Sequence, residues 1–235
     1  VPTLDQLVTS AYRDLADEAR QVFSVAQVED FLRGGIVELN RVAPLDTYED
    51  IEFFSDISEY PTMINLPYRV EVRGPGGVAV SPIPQVEPGE SVTYGWAHRA
   101  SGDAGVIEVG VGIANAAAAI NDSERPHMRV YGYARRPIPA STMYELSDPD
   151  DPESPMVPLA SPETGLSSDE EYAVREYAKA EGFTLLTHDR ALFAQWQGQT
   201  NNTDVSPVMM MNMAAIARQE WNRKRGLIRT VRRYW

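Results

Sequence analysis

Apolar positions recur every three or four residues near both ends of the chain and alternate with polar ones between. At the start, Leu4, Leu7, Val8, Ala11 and Leu15 fall on one helical stripe, and Thr3 stands where an N-cap is needed. A second stripe, Val25, Val28, Leu32, Ile36, Leu39 and Val42, follows Ser24 and Gln27, whose spacing makes a capping box, and Pro44 stops it. Gly34 and Gly35 inside this stripe weaken the helix or let another backbone come close.

From about Ile51 to Glu145 the period drops toward two and the runs shorten, broken by Gly and Pro. YRVEVRGPGGVAV (68–80) alternates Tyr68, Val70 and Val72, then Val78 and Val80, around a Gly/Pro turn, which predicts a hairpin. SVTYGWA (91–97), GVIEVGVGI (105–113) and HMRVYGYA (127–134) are further strands, and so many short strands predict a sandwich or barrel. SDPDDPESPMVPLASPETG (147–165) has little to bury and reads as a linker or long exposed loop.

Helical texture then returns. Ser168 and Glu171 form a second capping box before EYAVREYAKAEGFTLL, and Asp189 caps DRALFAQWQ (189–197). Ser206 and Pro207 open a last helix that carries Met209, Met210, Met213, Ile216, Ala217 and Trp221, with Gly226 as its expected stop. The methionines are core by their chemistry first, and a subunit interface second.

The predicted fold is α+β: a helical bundle made by the amino- and carboxyl-terminal helices, an inserted β-sandwich or barrel-like domain, and an extended carboxyl-terminal tail. Its expected parts are residues 1–50 (helices), 51–146 (β domain), 147–167 (acidic Pro-rich linker), 168–222 (helices) and 223–235 (tail). At 43% apolar residues the chain can bury a core without staples, and with no cysteine it has neither disulfides nor thiolate metal sites. Its longest apolar runs, VMMMNMAAIA and IANAAAAI, fall well short of the roughly 20 residues that span a bilayer, so no membrane contact is expected. The opening VPTLDQLVTSAYRD has no basic n-region or apolar h-segment, so no secretory signal is expected.

Charge divides the chain. Seven of the 21 Lys/Arg residues and one of the 34 Asp/Glu residues lie from Arg218 onward, so this end carries +6 and the remainder −19. The acidic remainder argues against broad contact with duplex phosphate, and DNA near it would slide past.

Catalytic chemistry is scarce. His98, His127 and His188 stand far apart and none has ligand spacing such as HxH or HExxH. GVGIAN (110–115) resembles half of a dinucleotide fingerprint, yet it sits among strands and reads as a strand with packing glycines. SDPDDPE lacks the spacing of a calcium loop. No nucleophile elbow, phosphate-cradling Gly-Lys-Ser/Thr loop or cysteine nucleophile occurs. An enzyme, a cofactor and a metal are therefore not expected.

The basic end interleaves Leu227, Ile228, Val231, Tyr234 and Trp235 with Arg223, Arg225, Arg229, Arg232 and Arg233. Arg and aromatic side chains anchor interfaces, so this segment reads as a docking element for a protein partner. Stacking on single-stranded nucleic acid is its rival. A separate alternative is a β-sandwich binding module of a tail fibre or baseplate, suggested by Tyr94, Trp96 and Tyr131.

The helix pair TLDQLVTSAYRDL and VAQVEDFLRGGIVELNRV, the segment SSDEEYAVREYAKAEGFTLL, the stretch LFAQWQGQTNNTD and the end EWNRKRGLIRTVRRYW together cover somewhat more than half of the chain. In this arrangement the chain resembles the head-to-tail adaptor (connector) proteins of long-tailed double-stranded DNA phages, and is most similar to those of phages of actinobacteria. The resemblance implies a virion protein, assembled in the host cytoplasm, that forms a ring with itself, commonly a dodecamer. It also implies portal docking through the carboxyl-terminal segment, a stopper protein as tail-ward neighbour, and genomic DNA passing through the channel without specific binding. The β region exceeds the minimal helical adaptor.

Overall fold

The elements in chain order are α1 (Leu4–Asp14), α2 (Val25–Val42), β1 (Leu45–Glu52), β2 (Glu59–Thr62), β3 (Leu66–Arg73), β4 (Ala79–Ile83), β5 (Trp96–Ser101), β6 (Ala104–Val109), α3 (Val111–Ala118), β7 (His127–Ala134), β8 (Met143–Leu146), β9 (Met156–Ala160), α4 (Ser168–His188), α5 (Arg190–Thr200) and α6 (Pro207–Val231). The structure, a computed structural model, describes residues 2–54, 56–74, 79–86, 92–101, 104–118, 127–147 and 156–231. The fold is α+β, in two units: Val1–Ala43 with Arg136–Trp235, and Pro44–Arg135.

In the first unit, local chemistry sets the helix starts. The Thr3 hydroxyl accepts from the Gln6 N–H at 3.4 Å while the Gln6 amide oxygen accepts from the Thr3 N–H at 3.1 Å, and Ser24 and Gln27 repeat the box at α2. Between these helices the buried Asp17 carboxylate accepts three backbone N–H groups, from Gln21, Val22 and Phe23, at 2.9–3.0 Å. Asp17 thus replaces water for an otherwise unsatisfied turn. The box ahead of α4 lies one residue earlier than the sequence reading: the Glu170 carboxylate accepts from the Ser167 N–H at 3.0 Å.

The stripes of α1, α2, α4, α5 and α6 meet in one core that includes Leu7, Leu15, Leu32, Ile36, Val174, Phe183, Trp196 and Trp221. A Cβ added to Gly35 would lie 3.2 Å from Val174 Cγ1, so this glycine does let α4 approach α2 closely. Residues 156–160, expected within a linker, instead form β9, antiparallel to β8. The five residues of β9, MVPLA, are an apolar run inside a segment otherwise rich in Pro, Asp and Ser, and pairing with β8 sets their conformation.

The end of the chain departs most from expectation. Gly226 does not stop the last helix; α6 runs on through it to Val231, so residues 223–231 are helix and not an extended tail. Ile228, 8% exposed, sits in the same core as Met210, Ala214 and Trp221, and this burial outweighs the roughly 1 kcal/mol that a mid-helix glycine costs. Arg232, Arg233, Tyr234 and Trp235 lie outside the described residues.

The second unit holds two antiparallel sheets, ordered β1-β7-β3-β4 and β2-β6-β5. β3 and β4 pair as the predicted hairpin. Val70, Met128 and Val130 of the first sheet and Tyr60, Trp96, Ile107 and Val109 of the second share one core with Ala114 and Ala117 of α3. That helix corrects the strand reading of GVGIAN, because the strand ends at Val109 and a helix starts at Val111. Strand pairing also starts earlier than residue 51: Leu45 already faces Ala134 in the β1–β7 register.

Candidate functional site

Helix α6 carries two kinds of surface. Met210, Ala214, Ala217, Trp221 and Ile228 recur at helical spacing and are buried. Away from that stripe Val208, Met209, Met211, Ile216 and Leu227 are exposed. The methionine run is therefore split between core and surface.

Most of the described cations of α6 are engaged inside their own unit. Arg218 pairs with Glu181 and lies 5.2 Å over the Tyr177 ring; Lys224 lies 3.6 Å from Asp169 and 4.7 Å over Tyr172. Arg223 Nε reaches Glu220 at 2.7 Å, and this bond holds the Glu220 carboxyl below its usual range and the guanidinium above its own. Arg225 stands 5.7 Å over the Trp221 ring. Of the sequence-predicted docking residues, Leu227 is exposed and Ile228 buried. Arg229 and Val231 are helical in backbone, and their side chains are not described.

Glu176 of α4 is a buried carboxyl in this unit. Desolvation raises its pKa above the ordinary 4.5, against the pull of Lys179 Nζ at 3.6 Å. The folded chain then binds more protons than the unfolded one between 4.5 and the raised value, so this group's contribution falls as pH rises through that window. Glu176→Gln is expected to match the wild type below the window and to be more stable above it. Denaturant unfolding at stepped pH, followed by helical circular dichroism, checks this; parallel pH profiles would count against it.

The histidines stay apart. His98 is on β5 and His127 on β7, while His188 ends α4, and among the described residues no group of three or more His, Asp or Glu side chains is placed to hold a metal ion. The His98 Nε2 is buried with no hydrogen-bond partner, and burial pushes its pKa below 6.5. Asp189 does cap α5, accepting from the N–H groups of Ala191 and Leu192 at 2.9 and 3.0 Å. No helix among the described residues is long and apolar enough to cross a membrane.

The β unit holds a constellation that the hydrophobic pattern did not bring out. On one face of β1-β7-β3, register places Asp46 beside Tyr133 and Leu66, Tyr48 beside Tyr131 and Arg69, and Asp50 beside Arg129 and Glu71. The Tyr48 and Tyr131 rings are 6.0 Å apart, and those of Tyr68 and Tyr133 are 5.7 Å apart. Arg129 lies 4.0 Å over Tyr48, and Arg69 lies 5.4 Å over Tyr131. Trp96 and Tyr94 do not join this face: Trp96 is in the core, and Tyr94 is exposed in the loop before β5. For β7 the signal lay in the alternation that marked the strand, taken at Arg129, Tyr131 and Tyr133, whereas the sequence reading places no strand at β1.

Comparison with protein-family models and with curated proteins found no match.

Proposed function

We propose that this chain is a structural subunit that assembles with copies of itself through α6, as a head-to-tail adaptor of a long-tailed double-stranded DNA phage. The observation that carries the reading is the set of apolar side chains that α6 exposes outside its core stripe, of which Met209, Ile216 and Leu227 share one face. Val208, Met209, Met211, Ile216 and Leu227 lie exposed on a helix whose other stripe already fills a core. A helix apolar on more than one side calls for a second partner.

In this reading the helical unit is a bundle and the β unit a sandwich. The subunits form a ring under the portal, docked through the carboxyl end of α6 and the residues after it, and the stopper protein follows on the tail side. Opposite charge at two places on one chain favours a head-to-tail contact between copies, and such a contact closes into a ring when its rotation allows. The acidic remainder lets DNA pass without holding it.

Light scattering and electron-microscope imaging of the full chain, alone and with portal protein, test the proposal. Rings are expected on the portal, and Met211→Glu with Ile216→Glu is expected to abolish them while leaving the helical dichroism unchanged. A chain that stays monomeric and unbound with portal present, or a double variant that still forms rings, overturns it.

A further inference from the structure

We infer that the tyrosine face of β1-β7-β3 is a binding platform for a neutral oligosaccharide, a site separate from α6 and independent of the adaptor reading. Tyr48, Tyr68 and Tyr133 are 53%, 49% and 38% exposed on this face, although aromatic rings gain most when something covers them. The strands beneath are hydrogen-bonded to one another along their length, so the platform is already formed and a ligand need not order it.

Charge selects the class of ligand. Arg129 is held by both carboxylate oxygens of Asp50, at 2.6 and 2.7 Å, and Arg69 and Arg73 both pair with the buried Glu71. Asp46 accepts the Tyr68 hydroxyl at 2.9 Å. Three guanidiniums are thus matched by three carboxylates, Asp46, Asp50 and the Glu71 that Arg69 and Arg73 share, and the face offers a polyphosphate no surplus of cations. A single-stranded nucleic acid needs such cations for its backbone as well as rings for its bases.

A pyranose needs something else. Its C–H face packs on an aromatic ring, and its hydroxyls exchange hydrogen bonds with charged groups held in fixed positions, which are stronger than neutral ones. Among the described residues no cation lies over Tyr68 or Tyr133, so this pair is where a sugar ring would stack. Asp46, opposite Tyr133 in the register, is the carboxylate beside that ring, and the Asp50–Arg129 pair, four residues or about 13 Å further along, faces the hydroxyls of a neighbouring sugar unit.

The test is isothermal titration of the full chain with maltohexaose, cellohexaose and chitohexaose in turn, with oligothymidylate as a further arm. At least one sugar is expected to bind saturably and with little salt dependence. Tyr68→Ala with Tyr133→Ala is expected to weaken it about tenfold or more, as loss of central aromatic contacts does. Tyr133→Thr, which keeps a strand-forming residue, should weaken binding in the same direction if the double variant fails to fold. The proposal is overturned if none of the three sugars binds at millimolar concentration, if Tyr133→Thr binds like the wild type, or if oligothymidylate binds more tightly than any sugar.

Discussion

Replacing Arg136 with Ala is expected to destabilise the helical unit by about 3–5 kcal/mol, the range for removing one partner of a buried ion pair. The Arg136 side chain is wholly buried, and its Nη2 donates to Glu170 Oε1 at 2.6 Å. Its Nη1 donates to the Ala43 carbonyl at 2.7 Å, while its backbone N–H donates to Asn40 Oδ1 at 2.8 Å. The chain leaves this unit after Ala43 and re-enters it at Arg136, so one guanidinium ties exit, re-entry and the start of α4 together. The variant keeps a buried carboxylate without its cation and a carbonyl without its donor. At roughly 2–4 °C per kcal/mol for a chain of this size, the helical transition should fall by about 6–20 °C. Arg136→Met with Glu170→Leu should recover part of the loss, because neither charge of the pair is then left buried without the other, while the Ser167 N–H and the Ala43 carbonyl still lose these partners. A single-variant loss below about 1 kcal/mol would show that water reaches the pair.

Arg136 also marks where the sequence stopped being legible. Helix starts at Thr3, Ser24, Asp189 and Ser206 and the β3–β4 hairpin could be read because their chemistry is local: a capping side chain meets a donor two or three residues away. The Arg136–Glu170 pair spans 34 positions, and nothing local separates a buried arginine from a solvated one. Asp17 was missed for a related reason, since only the closed turn shows that its carboxylate faces three amides. α3 and β9 were misread because short apolar or Pro-rich runs take their conformation from what they pack or pair with. The tyrosine face was legible as alternation only in β3 and β7, since β1 fell mostly outside the region read as strands, and not as a site, because its rows assemble from three separate strands.

Cutting the chain after Asn222 is expected to cost the helical unit about 2–5 kcal/mol, the range for deleting a large buried aliphatic side chain. Charge composition alone suggests the opposite, a separable basic tail whose removal leaves folding intact. The difference rests on Ile228, which packs with Met210, Ala214 and Trp221, and on Lys224, which lies across Tyr172 beside Asp169. Burial dominates this cost, since an exposed ion pair contributes only about 0–1 kcal/mol. Ile228→Ala should therefore reproduce most of it, and Lys224→Ala little. Denaturant unfolding of the three variants beside the wild type gives the comparison; a truncated chain as stable as the wild type would show that the last turns of α6 contribute nothing to the core. The same logic separates folding from docking. A cut after Val231 leaves Ile228 in place and removes only Arg232, Arg233, Tyr234 and Trp235, so portal attachment of that shorter chain reports on those four residues. Under the adaptor reading, attachment of that chain falls, and denaturant unfolding of the same chain measures separately what the cut costs in stability.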